Sequence, residues 1–124
     1  MRELLRKHTI SFKNAFAGLW WATRTQPNFR VHLVLSALAI LMGMYFGITQ
    51  TEWAIIIFTI VLGLSAELIN TSIESMTDLI TRQWRLEAKI AKDVSAGMML
   101  TISFGAAGVA VFIFWPYIQM VLSI

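Results

Sequence analysis

The stretch AELINTSIESMTD, residues 66–78, sets Glu67, Asn70, Glu74 and Asp78 three or four positions apart. At 100° per residue a helix brings all four within about 80° of one another, as a polar stripe about 16 Å long. Two kinds of chemistry suit acids and an amide arranged in this way. A hard divalent cation takes carboxylate oxygens, and a carboxylate at the edge of water can remove a hydroxyl proton as general base. Glu67 is the member that demands a reason, because it sits inside a run that otherwise reads as membrane-spanning. An ionisable group at membrane depth costs at least about 2.5 to 3.5 kcal/mol and is kept where it faces a cavity or a partner. Glu74 and Asp78, each taken alone, are equally well the solvated end of a helix.

Further along, EAKIAKDVSAG (residues 87–97) places Lys92 and Asp93 where another apolar run begins. By themselves they read as a snorkelling lysine and a helix-capping aspartate. Opposite a stripe suited to a divalent cation, a lysine at this level also suits an anion, and the anion that accompanies such a cation is phosphate. Gln83, Arg85 and Glu87 in the intervening loop are weaker candidates, most of them expected to be merely solvated.

These groups need a scaffold, and composition says which kind. Of 124 residues 57% are hydrophobic and 14% charged, with a mean hydropathy of +0.68. This is too apolar for an ordinary soluble domain, and the length suits one domain, residues 1–124. With no cysteine there is no disulfide, thiolate zinc site or cysteine nucleophile. Three stretches are long and apolar enough to span a bilayer: 31–48, 53–73 and 94–115, the last ending at Pro116. Only residues 49–52 separate the first two, which predicts a tight helical hairpin. In residues 1–29, Leu5, Phe12, Phe16 and Leu19 share one helical stripe, while Arg6, Lys13 and Arg24 cluster on another side. That pattern predicts an amphipathic helix lying in the membrane interface. No compact apolar region with a small-residue cleavage site follows the basic start, so a secretory signal peptide is not expected.

Basic residues set the orientation. Arg2, Arg6, Lys7, Lys13, Arg24 and Arg30 precede the first span, and Arg82, Arg85, Lys89 and Lys92 lie between the second and third. The excess of positive charge on cytoplasmic segments then predicts an N-in, C-out topology, with the polar stripe opening toward the cytoplasm. Trp53, Trp115 and Tyr117 would form the outer aromatic belt, and Trp20, Trp21 and Trp84 the inner one. The net charge of +3 suits anionic lipid headgroups, and nothing in its arrangement suggests nucleic acid.

The pattern ExxNTxIExxxD over residues 67–78, followed fourteen residues after its Asp by Lys92-Asp93, closely resembles the prokaryotic diacylglycerol kinase family, which includes the undecaprenol kinases. FKNAFAGLWWA resembles that family's surface helix, and NFRVHL the start of its first span, so the resemblance covers nearly the whole chain. It implies an all-α integral membrane enzyme of the bacterial inner membrane. Such an enzyme acts as a homotrimer with sites between subunits, moving the ATP γ-phosphoryl group to a lipid hydroxyl on the cytoplasmic side. The chain accordingly has neither a Walker GxxxxGK nor a protein-kinase glycine loop.

By the match, Glu67 is the general base, Glu74 holds Mg2+ bridging the ATP phosphates, and Asn70 orients the base or a phosphate oxygen. Asp78, Lys92 and Asp93 line the nucleotide site, and Asn14 and Arg85 look equivalent to further nucleotide contacts. Phosphoryl transfer depends mainly on positioning and charge neutralisation, so these groups suffice as a set. One departure stands out. Where the family usually has a second metal-binding glutamate, two residues before the Asn of N-x-R-x-H, TQPNFRVH has Gln26, whose amide brings an oxygen but no charge. His32, at the mouth of the first span, has two readings: a contact to substrate or, more commonly for a lone histidine there, a helix-start residue bonded to its neighbours.

NFRVH and WWATRTQ look more like the Gram-positive branch, where undecaprenol is the usual acceptor, than like the diacylglycerol-specific branch. Three spans and a surface helix make too thin a bundle to enclose stripe, nucleotide and lipid headgroup, so a second subunit is expected to cover them. The small residues Ser95, Ala96, Gly97, Ser103, Gly105, Ala106, Ala107, Gly108 and Ala110 would allow close helix contact, within the chain or between chains. Two other classes remain: a small ion- or proton-conducting oligomer, and a non-catalytic membrane assembly protein. The first needs a polar face across the whole membrane, and beyond Glu67 that face offers only Gly63, Ile60 and Ile56.

Overall fold

The computed structural model describes residues 2–123, with side chains from Ile10 to Ser123. Its elements are four helices: α1 (Arg2–Thr25), α2 (Pro27–Phe46), α3 (Gln50–Ile80) and α4 (Leu86–Leu122). The last three are long and apolar enough to cross a membrane, and the chain is an all-helical membrane protein.

Helix α1 packs on α2, with Ala22 buried at the contact. Phe12, Phe16 and Leu19 are exposed along its length with Trp20 and Trp21. No described residue covers this apolar stripe, the pattern of a helix suited to an interface. The Arg24 guanidinium lies 4.6 Å over the Trp20 ring, a cation–π contact that lets a charge share the aromatic face. Leu5 and Arg6 of the amphipathic pattern lie outside the described side chains.

Pro27 decides where α1 stops. Proline pushes the preceding residue out of the helical region, and Gln26 is extended, at φ −100° and ψ 108°. At the first position of a helix the missing N–H costs nothing, so α2 starts at Pro27, four residues before the apolar stretch at Val31.

The hairpin between α2 and α3 is displaced by two residues from the expected turn at 49–52. Gly47 adopts the left-handed region at φ 64° and its N–H returns to the Gly43 carbonyl at 3.0 Å. This ends α2 at Phe46. Thr49 then opens α3 through a capping box with Glu52: the Thr49 hydroxyl accepts from the Glu52 N–H, and the Glu52 carboxylate accepts from the Thr49 N–H at 2.7 Å. Glu52 therefore belongs to the first turn of α3. Trp53 is half-buried over Gly43, where a Cβ would stand 2.8 Å from its ring. It packs the two helices together at the hairpin end.

At this hairpin end lies the apolar core: Ile48, Ile56, Ile113 and Phe114, bordered by Phe46, Trp53 and Tyr117. Helix α4 continues through Pro116 to Leu122, although the third apolar stretch was expected to finish there. A helix-interior proline removes one backbone bond, and the following turn is tied down by other means. Tyr117 stacks on Phe46 with ring centroids 5.8 Å apart, and its hydroxyl donates to Glu52 at 2.8 Å. At the opposite, loop end, Thr81 and residues 82–85 turn the chain into α4, which returns antiparallel along α3.

Candidate functional site

The polar stripe forms as the spacing predicts, buried at its Glu67 end and open at its Asp78 end. Glu67 is 2% exposed and Asn70 6%, Glu74 is half-buried, and Asp78 at the loop end is exposed. Helix α4 covers the stripe and supplies two polar rungs to it. In the upper rung, Ser95 donates its hydroxyl to Asn70 Oδ1 at 2.5 Å, while Asn70 Nδ2 donates to Glu74 Oε1 at 3.1 Å. In the lower rung, Lys92 Nζ donates to Asp78 Oδ1 at 2.5 Å. Glu74 lies between the rungs, four residues from each of its α3 neighbours.

Glu67 stands apart from this network. Among the described residues no hydrogen bond or ion pair engages its carboxyl, although it is almost fully covered. No fully buried side-chain oxygen among the described residues lacks a partner, so the Glu67 carboxyl keeps a narrow opening at its tip, through which a ligand can reach it. Toward the hairpin end the same face of α3 is closed by Gly63, Ile60 and Ile56, the latter two packed in or against the apolar core.

The remaining sequence-derived candidates are spread around this centre. Asp93 is exposed and pairs with Lys89 one turn back on α4. Arg85 caps the start of α4 without a side-chain bond and lines a cleft of about 500 Å³ with Thr77, Thr81 and Glu87. Asn14 is exposed on α1. Gln26 reaches the Thr25 hydroxyl at 3.4 Å. Among the described residues none of these four is bonded to Glu67, Asn70 or Glu74. His32 differs from the expected helix-start residue: its ring faces across to α3, with Nδ1 3.8 Å from where a Cβ on Gly63 would sit. It borders an apolar groove of about 460 Å³ between α2, α3 and α4, which Ser36, Ala39, Leu64 and Ala106 also line.

Ser95 is a contact of the stripe that the sequence does not reveal. It stands in a run of small residues and reads as a packing position. Only the register of α4 against α3, fixed in the fold, turns it toward Asn70.

The donor set fits magnesium in one particular way. No group of three or more His, Cys, Asp or Glu side chains converges among the described residues, so the chain alone forms no all-protein cage. Mg2+ typically binds through one or two carboxylates together with substrate phosphates and water. Glu74 presents one carboxylate in that manner, with Oε1 occupied by Asn70 and Oε2 unbonded among the described residues.

Comparison with known proteins covers most of the chain. The prokaryotic diacylglycerol kinase family pattern matches residues 13–114. The undecaprenol kinase of Bacillus subtilis (strain 168) is 34% identical over 115 residues, 93% of this chain and 94% of that one. The diacylglycerol kinase of Synechocystis sp. is 37% identical over 98 residues, 78% of this chain and 56% of that one. That of Helicobacter pylori (strain ATCC 700392 / 26695) is 31% identical over 83 residues, 67% and 65%. With a match that takes in Lys13, the whole acid stripe, both rungs and the core residue Phe114, the chain belongs to the prokaryotic diacylglycerol kinase family.

Proposed function

We propose that this chain is an ATP-dependent lipid kinase of the bacterial inner membrane, transferring the γ-phosphoryl group of MgATP to the hydroxyl of a membrane lipid alcohol on the cytoplasmic side. The observation that carries the reading is Glu67: 2% exposed, with no partner among the described residues, one helical turn from the fixed Asn70–Glu74 pair. A carboxylate so placed can accept the proton of a lipid hydroxyl as its oxygen attacks the γ-phosphorus, while the β–γ bridging oxygen leaves with the bonding pair as part of ADP. Magnesium, as part of the nucleotide substrate, supplies charge neutralisation across the phosphates. Glu74 would hold it through its carboxylate, Lys92 would meet a phosphate oxygen, and Asp78, Asp93, Arg85 and Asn14 would surround the nucleotide.

Undecaprenol is the preferred acceptor in this reading, with diacylglycerol second. Support comes from the end-to-end match to a Bacillus subtilis protein named for that activity. The groove bordered by His32 is apolar and suits the hydrocarbon of either lipid. The working form is a homotrimer. Gly97, Gly105 and Gly108 fall within about 80° on α4, and a Cβ at any of them would meet nothing within 4 Å. Packing within the chain therefore leaves these small residues unused, and a second copy can approach there.

The test is purified protein in mixed micelles with labelled ATP and Mg2+, offered undecaprenol and diacylglycerol separately, with Glu67→Gln as control. Label transferred to undecaprenol, reduced with diacylglycerol and lost in the variant, is the expected result. Transfer to neither lipid, even with Gln26→Glu, would overturn the reading.

A further inference from the structure

We infer that Ser95 is a positioning residue for the metal-binding carboxylate, acting through Asn70. The consequence rests on the kinase reading; the geometry does not. Three groups are in series: Ser95 Oγ donates to Asn70 Oδ1 at 2.5 Å, and Asn70 Nδ2 donates to Glu74 Oε1 at 3.1 Å. Ser95 is 3% exposed and Asn70 6%, so water does not readily replace either partner.

Charge fixes the direction of the series. An ionised carboxylate only accepts hydrogen bonds, so the Asn70 amide must turn its nitrogen toward Glu74. Its oxygen is then committed to α4, where a hydroxyl can donate and an apolar side chain cannot. Without that donor a buried carbonyl oxygen is left unpaired, and the amide gains a reason to rotate toward whatever polar group or water it can reach. Rotation would withdraw the donor from Oε1 or present an oxygen to an oxygen.

The result is a carboxylate with one oxygen pinned and the other presented. Outer partners of this kind orient metal ligands and tune their affinity, and losing one typically costs 10- to 100-fold. The rung also crosses between helices. Ser95 lies three residues beyond Lys92 on α4, and Asn70 lies four residues before Glu74 on α3. Their bond therefore sets the separation between the group that takes the metal and the group that takes the phosphate. The Asn70 amide is aimed at Glu74 and not at Glu67, so in this arrangement it serves the metal ligand and leaves the base unencumbered.

The experiment uses the full chain in mixed micelles with a non-hydrolysable ATP analogue, Mn2+ as an EPR-visible stand-in for Mg2+, and Ser95→Ala against Ser95→Thr. Ser95→Ala is expected to weaken nucleotide-dependent Mn2+ binding on the order of 10-fold and to shift the Asn70 side-chain amide resonances in 15N NMR. Ser95→Thr, which keeps the hydroxyl, is expected to retain both signals. Unchanged Mn2+ affinity in Ser95→Ala, whatever its melting temperature, would overturn the inference. An Asn70 amide signal indifferent to Ser95→Ala would overturn it alone, with the kinase reading intact. Wild-type protein that binds no Mn2+ alongside nucleotide would instead overturn the kinase reading and this consequence with it.

Discussion

Lys92 on α4 donates to the Asp78 carboxylate on α3 at 2.5 Å, across the loop that joins the two helices. The two side chains are 40% and 61% exposed, and exposed pairs of this kind contribute only about 0 to 1 kcal/mol to stability. Asp78→Asn is therefore expected to leave the unfolding midpoint in detergent almost unmoved. Lys92→Ala, by contrast, removes the phosphate contact proposed for Lys92, about 1.5 to 3 kcal/mol for a charged hydrogen bond, and should raise KM for ATP about 10- to 150-fold. Paired thermal melts and ATP titrations separate the two effects.

Glu67→Gln keeps the size of the side chain and removes the proton acceptor. Lipid-dependent ADP release should fall on the order of 10²- to 10⁴-fold, the usual worth of a general base. Nucleotide-dependent Mn2+ binding should persist, because Glu74 and Asn70 are untouched. A variant that loses metal and activity together would place Glu67 among the metal ligands.

Gln26→Glu adds a carboxylate where the chain has a neutral amide. Half-saturating Mg2+ for turnover is expected to fall severalfold, since hard cations follow ligand charge. Magnesium titration of both proteins reads this directly. An unchanged or raised requirement would mean that position 26 does not face the metal.

Two kinds of glycine should respond in opposite ways. At Gly43 an added Cβ meets the Trp53 ring at 2.8 Å, so Gly43→Ala should destabilise the chain by about 1 to 3 kcal/mol through overpacking. At Gly108 nothing lies within 4 Å, so Gly108→Leu should leave the subunit folded. It should nevertheless reduce cross-linked trimer and activity together. Cross-linking in micelles beside a thermal melt distinguishes the outcomes.

Much of the fold could be read from the sequence because its signals are local. Apolar length marks α2, α3 and α4, and the spacing of Glu67, Asn70, Glu74 and Asp78 needs nothing but helical geometry to become a stripe. Boundaries that depend on single-residue backbone preferences shifted: Gly47 ended α2 early, Thr49 and Glu52 began α3 early, and Pro116 was passed over. Tertiary register was not legible. Ser95, Ala96 and Gly97 look alike as small residues, and only the packing of α4 on α3 buries the first and exposes the other two. Likewise Tyr117 reads as an interfacial aromatic until Glu52 is found 65 positions away in sequence and 2.8 Å away in space. Among the described residues Asn14, Gln26 and Arg85 make no hydrogen bond to Glu67, Asn70 or Glu74, and no local sequence signal shows that.

Helix α3 runs unbroken for 31 residues, about 46 Å at 1.5 Å per residue, whereas the hydrocarbon core of a bilayer is about 30 Å thick. The hairpin end of α3 packs into the apolar core and its loop end carries the exposed Asp78. In the kinase reading, each reactant travels to it through the medium in which it dissolves. The lipid alcohol never needs to leave the bilayer, nor the triphosphate the aqueous phase. In that reading the protein is a phase-boundary catalyst, with the two-turn interval between Glu67 and Glu74 as the distance over which one solvent gives way to the other.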